Sequence, residues 1–164
     1  MLQHTFQHFR GISAKKEREL WTEGVFSWEQ YEQAVYPQRN LFAHAEDGAD
    51  TVSTVRESVQ ALLVEDTDYF ASRLDRNEHY RIALAAPEKT LFLDIETTGL
   101  SRYYDTITVI GWSMGHDYGF FVKGQDDSRL RQVLKAAKVL VTFNGTLFDV
   151  PFIAHEYPDL VLPK

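Results

Sequence analysis

Asp94 and Glu96 stand two residues apart at the end of an apolar run, "TLFLDIE". If the run is a β-strand, side chains alternate between faces and both acids point the same way. Two close like charges repel, and burying them unpaired on one strand face would cost several kcal/mol. A divalent cation between them turns the repulsion into coordination. Ligation by oxygen alone favours Mg²⁺ or Mn²⁺. A third acid, Asp149, follows a second short apolar run, "KVLVTFN", on or near the start of a helix. In a parallel sheet the carboxyl ends of neighbouring strands open onto one crevice, where Asp94, Glu96 and Asp149 can converge. Such a site holds two ions about 3.5 to 4 Å apart and suits in-line attack of water on a phosphodiester.

The elements that must position these acids can be read from Lys89 onward. "TLFLDIE" is a strand, "TITVIGWSM" (106–114) a second, and "YGFFVKG" from Tyr118 a third, the last two joined by a tight "GHD" turn. A helix capped near Asp126 or Asp127 carries Leu130, Val133 and Leu134. "KVLVTFN" is then a buried strand suited to parallel pairing, and a last helix runs through "LFDVPFIAHEY". The expected fold is α/β: a mixed sheet of three antiparallel strands and one parallel strand, incomplete at the C-terminus and preceded by a small helical region.

Three segments are expected: a helical region at 1–45, connecting helices at 46–88, and the α/β domain at 89–164. In the first, Gly11-Ile12-Ser13 opens a helix that Gly24 ends, and "SWEQ" is a capping box with Ser27 as N-cap and Gln30 three residues on, starting a helix that fades before Pro37. "HAEDGAD" (44–50) reads as a linker. Val52, Val55, Val59, Leu62 and Leu63 follow helical spacing, and Asp66 caps a further helix bearing Tyr69, Phe70 and Leu74.

Composition bounds the function. With 164 residues and 44% hydrophobic content the chain can bury a normal core. A net charge of −7, from 24 acidic against 17 basic residues, gives no global basic field, so a polyanion must be met locally. The absence of cysteine excludes disulfides and thiolate metal sites. Without an apolar leader or a run near ~18 apolar residues, no membrane partner is expected and the cytoplasm is the default compartment.

"LFLDIETTGL" resembles the first motif of the DEDD-type 3'-5' exonucleases, which have an RNase H-like fold. "VTFNGTLFDVPFI" resembles their second, with the Asn-Gly and Phe-Asp pairs found in family B DNA polymerase exonuclease domains. With the helical amino-terminal part, the chain is most similar to the bacterial RNase H-like exonucleases of the YprB type. The resemblance implies metal-dependent 3'-5' hydrolysis of DNA or RNA, with Asp94, Glu96 and Asp149 as catalytic metal ligands. It also implies that Asn144 orients the site, that Leu100 and Phe148 contact the terminal nucleotide, and that the Thr97 backbone binds the 3' end. The family's third motif, a Tyr or His with a fourth acid, has no counterpart before Lys164. His155, Glu156 and Asp159 lie too near the second motif to replace it. The expected consequences are an incomplete metal site, very low activity, and an exposed sheet edge that recruits a second copy or a partner chain.

"FRGISAKKERELWTEGV" resembles a helix-hairpin-helix, in which Gly11 would present backbone N–H groups to a nucleic-acid phosphate and Lys15 and Lys16 would strengthen the contact. Ser13 stands where the usual pattern has a second glycine, and a plain helical hairpin is the competing reading. His4 and His8, one helical turn apart, read as a surface pair. The rival to an exonuclease is a non-catalytic nucleic-acid-binding or scaffold module; a more distant one is a metal-dependent phosphatase or nucleotide hydrolase.

Overall fold

In the computed structural model, which describes residues 2–35 and 45–163, the chain divides into two units, Met1–Ala85 and Ala86–Lys164. The second is built on the expected alternation. Along β1 (Thr90–Thr97), Leu91, Leu93 and Ile95 are buried while Phe92, Asp94 and Glu96 are exposed, so the two acids share the open face. β1 pairs antiparallel with β2 (Ile107–Met114) and parallel with β4 (Val139–Val141), and β2 pairs antiparallel with β3 (Asp117–Val122). The sheet order is therefore β3-β2-β1-β4. A two-residue turn, with Gly115 at φ 58°, suffices for the antiparallel β2–β3 hairpin, whereas the parallel return of β4 needs a helical crossover.

That crossover is α6 (Ser128–Ala136), which with α7 (Asp149–Glu156) covers one face of the sheet. Leu130, Val133 and Leu134 from α6, and Phe152 and Ile153 from α7, pack with Leu91, Leu93, Ile95, Ile107, Ile110, Trp112 and Phe121. Truncating a fully buried member such as Leu91 or Ile110 to alanine would cost about 2–5 kcal/mol. β4 is shorter than the apolar run 138–144 suggests. The ladder stops at Val141 because Asn144 takes the left-handed conformation (φ 57°) and Gly145 lies where a Cβ would sit 1.6 Å from Thr142 Oγ1.

The first unit is helical: α1 (Ala14–Thr22), α2 (Trp28–Val35), α3 (Ala45–Leu63), α4 (Thr67–Ala71) and α5 (Tyr80–Ala85). The expected caps form: Ser13 Oγ accepts from Lys16 N (3.3 Å), Asp66 from Tyr69 N (3.0 Å), and Ser27 and Gln30 cap reciprocally. The expected linker is a correction, since residues 45–50 lie within α3; one helical glycine costs only about 1 kcal/mol against the packing of the amphipathic run that follows. His44 and Pro37 fall outside the described residues. The buried stripe of α3 also differs from the expected one. It runs through Val55, Ser58 and Ala61, leaving Val59 and Leu63 exposed. Among the described residues no helix is long and apolar enough to cross a membrane.

Candidate metal centre and nucleic-acid crevice

Asp94 and Glu96 lie near the carboxyl end of β1, opposite Gly111 and Val109 of β2. Asp149 opens α7 at 3% exposure, positioned by the turn after β4 in which Asn144 O accepts from Leu147 N (3.1 Å) and Phe148 N (3.0 Å). Burial pushes the Asp149 carboxyl above its usual range and the negative charge of Asp94 adds to the rise, against the pull of the Asp149 and Ile95 backbone amides. Asp94 and Asp149 thus form an electrostatically opposed pair that a cation would relieve, and their all-oxygen donors suit Mg²⁺ or Mn²⁺. Among the described residues, however, no three acids or histidines are gathered closely enough to hold a metal ion, so Asp94, Glu96 and Asp149 do not close a three-carboxylate shell.

The loop after β1 is tied together by hydrogen bonds. Asp105 accepts from Ser101 N (2.9 Å) and Thr98 Oγ1 (3.3 Å), while Thr98 Oγ1 accepts from Thr106 N (3.0 Å). Gly99 makes room for this carboxylate, because a Cβ there would lie 2.5 Å from it. Thr97 donates its hydroxyl to Gly99 O (2.5 Å), keeping its own backbone in the turn at the strand end. Sequence reasoning missed Asp105, although an acid closing a Thr-Thr-Gly turn is a legible signal.

Of the residues expected to touch a nucleotide, Leu100 is 87% exposed and Asn144 is exposed. Phe148 is half-buried, its ring 4.9 Å from that of Phe152, and packs against the core. Its neighbour Leu147 (78% exposed) and Phe143 (89%) are the solvent-facing members of that loop. Across the carboxyl end of the sheet, the β1–β2 loop exposes Tyr103 and Tyr104, and Arg102 lies over the Tyr103 ring at 4.9 Å. Sequence reasoning passed over these residues, whose only signal is apolar character in loops, where polar residues are the rule.

Glu156 and Asp159 are both committed to other partners. Glu156 accepts from Thr106 Oγ1 (2.5 Å), Ile107 N (2.6 Å) and Lys123 Nζ (2.6 Å). Burial pushes its carboxyl up, but these bonds prevail and hold it below the usual range. Asp159 pairs with Arg131 (2.6 Å), which also grips Asp127. Tyr103 packs edge-on against His155 of α7.

In the first unit Gly11 has φ 80° and precedes α1, but the structure upstream is a 3₁₀ turn at Leu2–His4 rather than an α-helix. Lys15 and Lys16 are exposed along α1, both within 4.0 Å of Glu19. The histidines are not a surface pair, which corrects that expectation: His4 Nδ1 contacts Phe26 O (2.7 Å), whereas His8 is buried with Nε2 3.0 Å from Ser58 Oγ.

No curated protein and no solved structure matches the chain. Residues 91–164 match the family model of the RNase H superfamily, and the second unit, with its mixed sheet of order β3-β2-β1-β4, has an RNase H-like fold.

Proposed function

We propose that the second unit is a metal-dependent nuclease of the DEDD 3'-5' exonuclease type, hydrolysing phosphodiesters at the 3' end of DNA or RNA. One observation carries the reading: Asp94 and Glu96 share the open face at the carboxyl end of β1, and Asp149 is placed where Asp94's charge acts on it. Asp94 and Asp149 would hold Mg²⁺ or Mn²⁺, with Glu96 as the adjoining ligand. A bound divalent cation would supply an activated water and neutralise charge on the phosphate. The backbone at Thr97 would hold the terminal nucleotide, with Leu100 beside it. Leu147, rather than the core-facing Phe148, would provide the opposing apolar contact. Asn144 would orient the second loop through its turn. Gly11, Lys15 and Lys16 would contribute a weak phosphate contact, since Glu19 already draws on both lysines.

A second reading, a non-catalytic nucleic-acid-binding module, is favoured by the ungathered state of the three carboxylates. A 5'-labelled single-stranded oligonucleotide incubated with Mn²⁺ separates the two. Slow shortening from the 3' end that disappears in Asp94→Asn supports the nuclease. Binding without shortening supports the module.

A further inference from the structure

We infer that Glu156 is a positioning residue for the carboxylate centre, latching α7 to the sheet so that Asp149 is held against Asp94. This rests on the reading that those carboxylates take a divalent cation. Asp149 and Glu156 are the first and last residues of α7. Seven positions make nearly two helical turns, so they stand on one side of the helix, roughly 10 Å apart along its axis. Asp149 is buried where the helix begins, and at the other end Glu156 accepts from the Ile107 amide of β2 at 2.6 Å. The pairing of these strands shifts between Glu96 and Thr97, and Thr97 is the partner of Ile107. The latch therefore closes at the same place where the strand bearing Asp94 and Glu96 ends.

Apolar contacts alone would leave α7 poorly fixed. Phe152 and Ile153 attach it to the core, but burial is non-directional and tolerates small slides and rotations. The Glu156 bonds to Thr106 Oγ1, Ile107 N and Lys123 Nζ come from the start of β2 and the end of β3, and their geometry selects one register of the helix. Lys123 neutralises a carboxylate that would otherwise be largely buried and anionic. The hydrogen bonds of Glu156 go to Thr106, Ile107 and Lys123 rather than to Asp94, Glu96 or Asp149, so its effect on the centre passes through α7.

The test is calorimetric titration of the 164-residue chain with Mn²⁺, well below its unfolding temperature, with folding checked by circular dichroism. Wild type, Asp94→Asn, Glu156→Gln and the core control Val133→Ala are compared. The expected result is that Glu156→Gln weakens Mn²⁺ binding about tenfold or more, in the range for residues that orient metal ligands, while Val133→Ala lowers thermal stability and leaves Mn²⁺ affinity within about twofold. If Asp94→Asn weakens binding and Glu156→Gln does not, the latch is overturned and the cation site stands. If Asp94→Asn has no effect either, both fail. Should Glu156→Gln not fold, Lys123→Met decides in its place: Lys123 is half exposed and removable without a core cavity, and unchanged Mn²⁺ affinity in that variant overturns the latch.

Discussion

The carboxyl of Asp149 is raised by its own burial and by the negative charge of Asp94, although the two lie 55 positions apart in the chain. A raised carboxyl is favoured protonated in the folded state, so its ionisation costs stability as pH rises above the usual carboxylate range. Asp149→Asn removes that cost while keeping the side chain's shape. Without metal it should raise the Tm of the second unit. Scanning calorimetry with and without Mn²⁺ checks this: the variant should melt higher in EDTA and gain nothing from the cation. A lower Tm in EDTA would contradict the electrostatic account.

Tyr104 is 92% exposed in the β1–β2 loop, which follows the strand that carries Asp94 and Glu96. Base stacking on an exposed ring contributes roughly 1–3 kcal/mol. Tyr104→Ala should therefore weaken binding of a single-stranded oligonucleotide about tenfold, leaving Tm nearly unchanged. Fluorescence anisotropy in Ca²⁺ measures it, and equal affinity of variant and wild type would remove the loop from the nucleic-acid surface.

His8 titrates far from the usual imidazole range. Burial, and then the charge of Arg73, lower its pKa to about 4 against the partial opposition of Glu17. The unfolded chain binds this proton near pH 6.5 and the folded chain does not, so stability is full above that pH and falls as pH drops towards 4, by roughly 2–3 kcal/mol. His8→Phe would keep the ring among Phe9, Trp28 and Phe70. Thermal melts between pH 7 and 4 should slope less in the variant; identical slopes would locate the acid sensitivity elsewhere.

Replacing Lys15 and Lys16 together with glutamine should weaken DNA binding uniformly across sequences. It should also lower the salt dependence by less than two charges' worth, because Glu19 offsets part of their charge. An unchanged salt slope would reduce α1 to a structural role.

Among the described residues β4 is the outer strand of the sheet, paired only with β1, and it is short and apolar. Such an edge accepts another strand. The chain should self-associate with rising concentration in light scattering, and Val141→Lys should suppress this; a monomer at all concentrations would sink the idea.

The sheet was legible in the sequence because its signals are local. Alternation in "TLFLDIE", a two-residue turn before Asp117 and helical spacing after Asp127 each fixed an element without tertiary context. α3 was less legible, since Ser58 is buried through bonds to His8, Tyr69 and Thr54 O that no hydrophobic pattern reveals. The acids of the candidate centre were visible in type and spacing. Their failure to gather, the inward turn of Phe148 and the commitment of Glu156 depend on contacts between segments about fifty residues apart, and spacing alone does not encode those.

Parallel pairing of β1 with β4 joins Thr90 to Val139 across 49 positions, whereas β2 and β3 meet through a two-residue turn. On loop-closure entropy, the hairpin and its pairing with β1 are expected to form early and β4 to dock late. On that order Asp94 and Glu96 would be in place on a three-stranded meander before Asp149 arrives. A molecule that opens only its β4–α7 segment would keep most of its sheet and still separate the acids of the proposed cation site. Amide protons of α7 that exchange faster without Mn²⁺ than with it would be the sign of that partial opening.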